Sequence, residues 1–376
     1  MALSSVLEKI KAKVLAGERI STEEGLELFH NAPMPELAIM ANARRAQLKK
    51  DAYEGQGERV ITYMIDRNIN YTNVCDVYCK FCNFYRTETD ADHYVLSHEQ
   101  IDAKIDPLVA IGGNQILMQG GHHPKLGLDF YLDLLSHIKN KYPQVNIHAF
   151  SPPEFTHFIG AFNMPLEEII TRFKEAGLGS IPGGGGEILV DRVRQRISPR
   201  KCNSEQWLRV METAHHAGLR TSATMMYGHV ETLDERMEHM RVLRELQDRT
   251  SVFMVFICWT FQSAGTVLKP DRKIGSHEHM RMQSVARIFL DNIENMQSSW
   301  VTQGPKMGQL GLDFGINDFG GLMMEENVVS QAGSTFRLTL DEMKRLIRQS
   351  GYVPHQRDSW YNIVPSPAEP SVAIAS

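Results

Sequence analysis

The feature that most constrains this chain is a recurring alternation of short apolar runs with helical patterns. Candidate strands lie at 67–72, 115–119, 145–150, 178–182, 221–227, 252–258 and 296–301, with a last, weaker unit across 305–320. Helical patterns cover about 100–110, 128–141, 166–176, 204–217, 233–248 and 277–294. Two of these helices end in the same way, Ala176-Gly-Leu and Ala217-Gly-Leu. The glycine suits a left-handed cap, and the leucine starts the next buried strand. Alternating strands and helices imply a parallel sheet, and eight units imply a closed (β/α)8 barrel of the TIM type. A six-unit open barrel with extra elements is the alternative. Before the barrel, Ser21 or Thr22 ahead of Glu23 and Glu24 signals a helix start, and Pro33 and Pro35 break the run. The organisation expected is a helical extension over 1–60, a barrel domain over 61–340, and a C-terminal helix with a flexible tail over 341–376. Residues 365–376, with Pro and Ser, read as disordered.

Barrel enzymes carry their chemistry on the loops that follow the strands. Here those loops include Gly120-Gly-His-His-Pro, Ser151-Pro-Pro-Glu, Gly183-Gly-Gly-Gly-Glu and Gly228-His-Val-Glu. The loop after the first strand reads Cys75-Asp-Val-Tyr-Cys79-Lys-Phe-Cys82. Three thiolates within eight residues can converge on one centre. A structural zinc site wants four ligands, whereas three thiolates can hold three irons of a cubane cluster and leave the fourth open. An open iron can bind a small molecule through an amine and a carboxylate. The zinc alternative would recruit His122 or His123 as fourth ligand, but zinc sites usually come as two Cys-x-x-Cys-like pairs. An iron–sulfur electron carrier is the non-enzymatic alternative. Carriers usually have four cysteine ligands and a small chain.

Five cysteines, three of them clustered, predict a reducing compartment and a metal site rather than disulfides. Cys202 and Cys258 stand alone and read as structural. A net charge of −5 gives no sign of a nucleic-acid surface. No signal peptide and no membrane-length apolar stretch is visible, so a cytoplasmic protein without membrane insertion is expected.

The cysteine spacing resembles the radical S-adenosylmethionine (SAM) superfamily, in which the open iron chelates the methionine part of SAM. The resemblance implies a 4Fe-4S cluster on Cys75, Cys79 and Cys82, with SAM as second cofactor. Further SAM contacts are implied from Phe81 beside the adenine, from Gln119, Gly120 and Gly121 near the amino group, and from Glu187. The glycines would let backbone approach the ligand closely. Pro182-Gly-Gly-Gly-Gly-Glu187 lacks both common phosphate-loop spacings, and a helix-terminus acid is the bland reading of Glu187. Thr224-Met-Met-Tyr-Gly-His-Val-Glu231 is similar to the family's GxIxGxxE stretch, with Thr224 and Met226 departing from it, and puts Glu231 near the ribose.

The resemblance narrows to the futalosine-pathway branch, which also contains deazaflavin-cofactor synthase subunits. It is carried by Asn68-Ile-Asn-Tyr-Thr-Asn-Val-Cys, His148-Ala-Phe-Ser-Pro-Pro-Glu, Ile197-Ser-Pro-Arg-Lys-Cys, Gln303-Gly-Pro-Lys and Gln356-Arg-Asp. It implies radical cyclisation of dehypoxanthinyl futalosine in menaquinone biosynthesis, with electrons from a flavodoxin or ferredoxin. Aminofutalosine synthesis and deazaflavin-cofactor synthesis are the alternatives within the branch. Candidate bases are His148, Glu154, Asp318 and Glu325. Ser151, Arg196 and Lys306 are the candidates for binding substrate, the two cations for its carboxylate.

Overall fold

The computed structural model describes residues 3–365. Three helices open the chain, Ser5–Leu15, Thr22–Asn31 and Met34–Lys49. Ser21 caps the second with a full capping box: its hydroxyl accepts from Glu24 N–H, and Glu24 accepts from Ser21 N–H at 2.8 Å. The third helix packs on Ser276–Phe289 of the barrel's outer layer. Its buried Arg45 donates to the carbonyls of Leu312 and Ile316.

The strands are β1 (Val60–Met64), β2 (Asp66–Ile69), β3 (Gln115–Met118), β4 (Asn146–Ala149) and β5 (Ser180–Ile181), then β6 (Arg220–Tyr227), β7 (Phe253–Thr260), β8 (Asn295–Gln297), β9 (Asp318–Gly321) and β10 (Val353–Gln356). All pairings are parallel, in the order β10-β1-β9-β8-β7-β6-β5-β4-β3-β2. β1 and β2 are two halves of one extended run, parted only at Ile65. The first half pairs with β9 and the second with β3, so this run closes the eight-stranded barrel expected from the alternation. Leu322 N–H donates to the Met64 carbonyl, and Met324 N–H to that of Asp66, carrying the β9 side of the seam upward.

β10 is the element the pattern does not announce. It is short, contains Pro354, and pairs with β1 on the side where β3 pairs with β2. A proline is tolerated there because the strand lies at the end of the sheet. The chain then turns inward. Arg357 Nε and Nη2 lie 3.0 and 2.6 Å from Asp318 Oδ2, the guanidinium stacks 4.0 Å over the Tyr361 ring, and Tyr361 OH donates to the same oxygen at 2.7 Å. This charged knot is buried at the floor of the barrel.

Both Ala-Gly-Leu endings form as expected. Gly177 and Gly218 have φ of 120° and 77°, and Leu178 and Leu219 donate back to Phe173 and Ala214 before entering the core. The Ser151-Pro-Pro-Glu stretch is a helix start rather than a free loop, with Pro152–Phe162 helical behind a Ser151/Glu154 capping box. Under it, Tyr131, Phe150, Phe158 and Phe173 pack with ring centroids 4.6–6.2 Å apart. The expected disordered tail falls almost wholly outside the described residues.

Removing one partner of a buried ion pair strands the other charge and costs about 3–5 kcal/mol. Asp318→Asn should therefore lower the unfolding free energy by that order in a urea titration. The double variant Asp318→Leu, Arg357→Met should recover much of it, because no charge is left unpaired. An unchanged midpoint in Asp318→Asn would show that the knot contributes nothing to stability.

Candidate active site

The cysteine loop leaves the barrel above β2 and is tied down on several sides. Cys75 N–H donates to the Arg86 carbonyl at 2.9 Å, Asp76 N–H to His122, and Lys80 N–H to Ile197. Cys75, Cys79 and Cys82 are free thiols lining one cavity of about 450 Å³ that runs down the barrel axis. Burial raises the Cys75 thiol and pushes that of Cys79 up to about 12. Neither Cys202 nor Cys258 lines the cavity. Arg194 donates to Cys202, and Cys258 donates to Gln283.

The Gly120-Gly121 loop is built for packing. A Cβ on Gly121 would lie 2.0 Å from the Val74 carbonyl oxygen and 2.8 Å from Cys75 Cβ, and one on Gly120 would lie 2.4 Å from the Tyr71 ring. Only glycines let the loop after β3 close on the cysteine loop. The four glycines at 183–186 serve the same end. A Cβ at Gly184 would meet Gln119 Nε2 at 2.2 Å, and one at Gly185 would meet Pro153 at 2.2 Å.

Glu187 follows them with a positive φ of 32°, rare for a residue with a side chain, and its carbonyl accepts from Met226 N–H. It lines the cavity. Oε1 pairs with Lys201 Nζ at 3.0 Å, whereas the buried Oε2 makes no hydrogen bond and lies 3.7 Å from Arg194. Burial alone would lower the Lys201 ammonium, but the Glu187 carboxylate outweighs it and holds Lys201 above its ordinary range. Lys201 Nζ also stands 5.1 Å over the ring of Phe81, which lines the cavity beside the cysteines.

His148 faces the cavity and bonds Ser180 Oγ through Nδ1 at 2.7 Å. Burial holds its pKa down to about 3, so the imidazole is neutral. Glu154 has both oxygens engaged, by Tyr71 OH, Gly120 N–H, and the N–H and hydroxyl of Ser151, at 2.7–3.1 Å. Burial raises its pKa, and these donors work the other way. Its geometry is that of a latch between the helix start and the Gly-Gly loop. Ser151 lines the cavity with its hydroxyl committed to that latch.

Three expectations are corrected. Glu231 does not reach the cavity. Its side chain is fully buried, held by Gly228 and His229 N–H and by Arg236 Nε, and its pKa stays well below the usual range because His229 and Arg236 outweigh burial. Thr224 and Met226 of the same strand line the cavity instead. Arg196 and Lys306 are exposed on the outer surface, away from the cavity. The cavity's cations are Lys201 and Arg357, and both stand in stretches that carry the family resemblance, Ile197-Ser-Pro-Arg-Lys and Gln356-Arg-Asp. Asp318 lies beneath Arg357. Glu325 is pinned by Arg67 and Lys104 beside a neighbouring pocket. Sequence reasoning passes over Asp66, a cavity-lining acid whose one signal is a charge closing the run Val60-Ile-Thr-Tyr-Met-Ile.

The cavity lining is mixed. Met226, Met254, Ile257, Trp259 and Trp300 supply apolar, partly aromatic surface, and Asn68, Gln115, Thr224, His148, Gln297 and Arg357 supply polar groups. Its volume suits a small organic ligand. Three unpaired thiols with no fourth cysteine beside them fit a cluster with one open iron. The orphaned Glu187 oxygen fits a donor group on a molecule bound at that iron.

Comparison with known proteins agrees with this construction. Residues 69–243 match the radical SAM superfamily, and residues 250–370 match the CofH/MqnC C-terminal region. The chain is 40% identical to the cyclic dehypoxanthine futalosine synthase of Halalkalibacterium halodurans, over 97% of this chain and 95% of that one. It is 37% identical to the aminodeoxyfutalosine synthase of Thermus thermophilus, over 94% and 95%. Among solved structures, HydG, a maturase of the FeFe-hydrogenase, shares the fold with a TM-score of 0.73 at 14% identity, covering 94% of this chain and 76% of that one.

Because the Gly121 Cβ position collides with the backbone at Val74, Gly121→Ala must shift the cysteine loop. The expected outcome is iron incorporation below half that of the parent after anaerobic reconstitution, with the far-ultraviolet circular dichroism retained. Full iron content in this variant would show that the loop tolerates displacement.

Proposed function

The chain belongs to the radical SAM superfamily, in the branch that carries the CofH/MqnC C-terminal region, and from that premise we propose that it cyclises dehypoxanthinyl futalosine in menaquinone biosynthesis. The observation that carries this reading is one cavity that brings three thiols together with the aromatic groups Trp259 and Trp300 and with the polar groups Asn68, Gln115, His148 and Arg357. Cys75, Cys79 and Cys82 hold a 4Fe-4S cluster, and Glu187, with Gln119 and Phe81 nearby, faces SAM. When bound, these cofactors supply a 5′-deoxyadenosyl radical able to take hydrogen from C4′ of the sugar-derived ring. A reductant of the flavodoxin or ferredoxin class supplies the electron.

The chain's own work is orientation and dryness. The aromatic side chains Trp259 and Trp300 receive the substrate's aryl ring, and Asn68, Gln115 and the neutral His148 offer hydrogen bonds to sugar hydroxyls. The closed barrel excludes water from a carbon radical that must find the ring before it finds solvent. Arg357, fixed by Asp318, places positive charge at the floor, where a substrate carboxylate is best received.

Aminodeoxyfutalosine synthesis is a second reading, favoured by the 37% identity to that relative. Incubating the reconstituted protein with SAM, a reductant and dehypoxanthinyl futalosine separates the two by product mass. Cyclisation gives a product two hydrogens lighter than the substrate, and no such product means the reading is wrong. Cys79→Ala should abolish 5′-deoxyadenosine formation, while Cys202→Ala and Cys258→Ala keep the cluster. Glu187→Gln should weaken SAM binding roughly ten- to a hundredfold, the cost of one charge-assisted hydrogen bond of about 1.5–3 kcal/mol, with iron content unchanged. Unaltered SAM affinity in that variant, with a lowered melting temperature, would leave Glu187 a purely structural role.

A further inference from the structure

Four carboxylates line the cavity among the described residues: Asp66, Glu154, Glu187 and Glu326. Glu154 is saturated by four donors. Glu326 accepts from the N–H groups of Val328, Val329 and Ser330, and Glu187 pairs with Lys201 near the cysteines. Asp66 differs. Oδ1 accepts from Met323 N–H at 2.8 Å, and among the described residues no side-chain donor reaches either oxygen. It opens β2, above the Arg357–Asp318 knot and below the cysteine loop, and only 5% of it is exposed. One face of the carboxylate packs flat on backbone, since a Cβ on Gly321 would lie 2.3 Å from Oδ1 and 2.4 Å from Oδ2. The other face looks into the cavity. Asp66 is thus a carboxylate fixed in place without being used up.

Cyclisation of the substrate creates work for such a group. Once the sugar carbon has bonded to the aryl ring, the attacked ring carbon still bears its hydrogen, and the ring is an aromatic system interrupted by one tetrahedral carbon with an unpaired electron. Restoring aromaticity requires loss of that C–H proton and of one electron. We propose that Asp66 is the proton acceptor of this step. The C–H bond breaks, its electron pair stays in the ring, and an O–H bond forms on Asp66. The remaining excess electron leaves to a one-electron acceptor of the oxidised iron–sulfur class. The inference rests on the cyclisation reading above.

The electrostatics suit the task. Burial pushes the Asp66 carboxyl up to about 6, with Arg357 acting to lower it and Asp318 to raise it. These two charged groups face it from the segment after β10 and from β9, and they are paired with each other. Tyr361 and His148 are the nearby titratable groups on the same cavity. His148, held down to about 3, is a far weaker base, and Tyr361 keeps its proton and donates a hydrogen bond to Asp318. A carboxylate with a pKa near 6 is ionised at neutral pH yet basic enough to take a proton.

Asp66→Asn tests the assignment, because the amide keeps the shape and its oxygen still accepts from Met323 N–H. General-base removal typically costs about a hundredfold or more in rate. The expected result is that loss in cyclised product, with KM for the substrate nearly unchanged and 5′-deoxyadenosine still formed. The ratio of 5′-deoxyadenosine to product should then rise steeply. In the parent protein, product per 5′-deoxyadenosine should fall as pH drops through about 6, because only the ionised carboxylate accepts a proton. Rapid freezing below that pH should trap more of the ring-centred radical by electron paramagnetic resonance. These parent measurements stand even if Asp66→Asn fails to fold. A variant with unchanged kcat, a variant altered only in KM, or a parent ratio flat across pH 5–7 would each overturn the proposal. A parent protein that makes no cyclised product at any pH would instead refute the cyclisation reading, before Asp66 is tested.

Discussion

Everything in this protein hangs on one extended run, residues 60–69, which must satisfy different neighbours along its length. Its first half pairs with β9 and β10, its second half with β3. A parallel barrel closes only if its first strand meets its last, and here a single strand bridges them with a break in pairing at Ile65. The gap beneath β3 is filled by β10, which Asn114 ties to the barrel by donating to the Arg357 carbonyl. Filling that gap turns Arg357 inward. A guanidinium inside a barrel needs a partner, and Asp318 with Tyr361 supplies it. The charged floor of the cavity is therefore a consequence of how the sheet closes.

Above that floor, the interior separates its acids by how fully they are satisfied. Glu231 and Glu154 are surrounded by donors and act as struts that fix loops. Glu187 and Asp66 retain carboxylate surface that faces the cavity, one near the cysteines and one near the floor. Burial makes an acid costly to ionise, and each added donor lowers that cost. Counting donors on each oxygen thus separates structural carboxylates from those free to meet a ligand, which residue type and chain position alone do not.

That distinction explains what the sequence makes legible and what it hides. Periodicity finds Leu166–Ala176 and Leu128–Lys141 with their observed bounds, because amphipathic helices and their caps are local. The cysteine spacing is equally local. β1 escapes because its buried run carries Thr62 and Tyr63 and no glycine parts it from β2, and β10 escapes because Pro354 argues against a strand. Ser151-Pro-Pro-Glu carries both helix-start signals, a capping box and prolines in the first turn, yet reads as loop when taken only as a post-strand segment. Arg196 and Lys306 differ from Lys201 and Arg357 only in which way the backbone turns them, and that depends on contacts far away in sequence. Glu231 sits in a stretch similar to a cofactor-binding motif. Arg236, one helical turn further on, captures it.

The glycines carry the argument one step further. Gly120, Gly121, Gly184 and Gly185 read from sequence as room for a ligand, and all four line the cavity. At Gly120, Gly121 and Gly185 the space a side chain would need is also taken by Tyr71, the Val74 backbone and Pro153, whereas at Gly184 it meets chiefly the movable end of Gln119. The loops after β2, β3, β4 and β5 thereby pack on one another at close range, most tightly at Gly121 and Gly185. A loop with three thiols would otherwise sample many arrangements, and ordering it on binding would draw on the binding energy. Interlocked loops meet that ordering cost during folding, so the thiols and the Glu187 carboxylate stand close to their working positions beforehand. The rigidity that fixes the mouth of the barrel thus arises from glycine, the residue with the least intrinsic rigidity, because its missing side chain lets four loops pack as one layer.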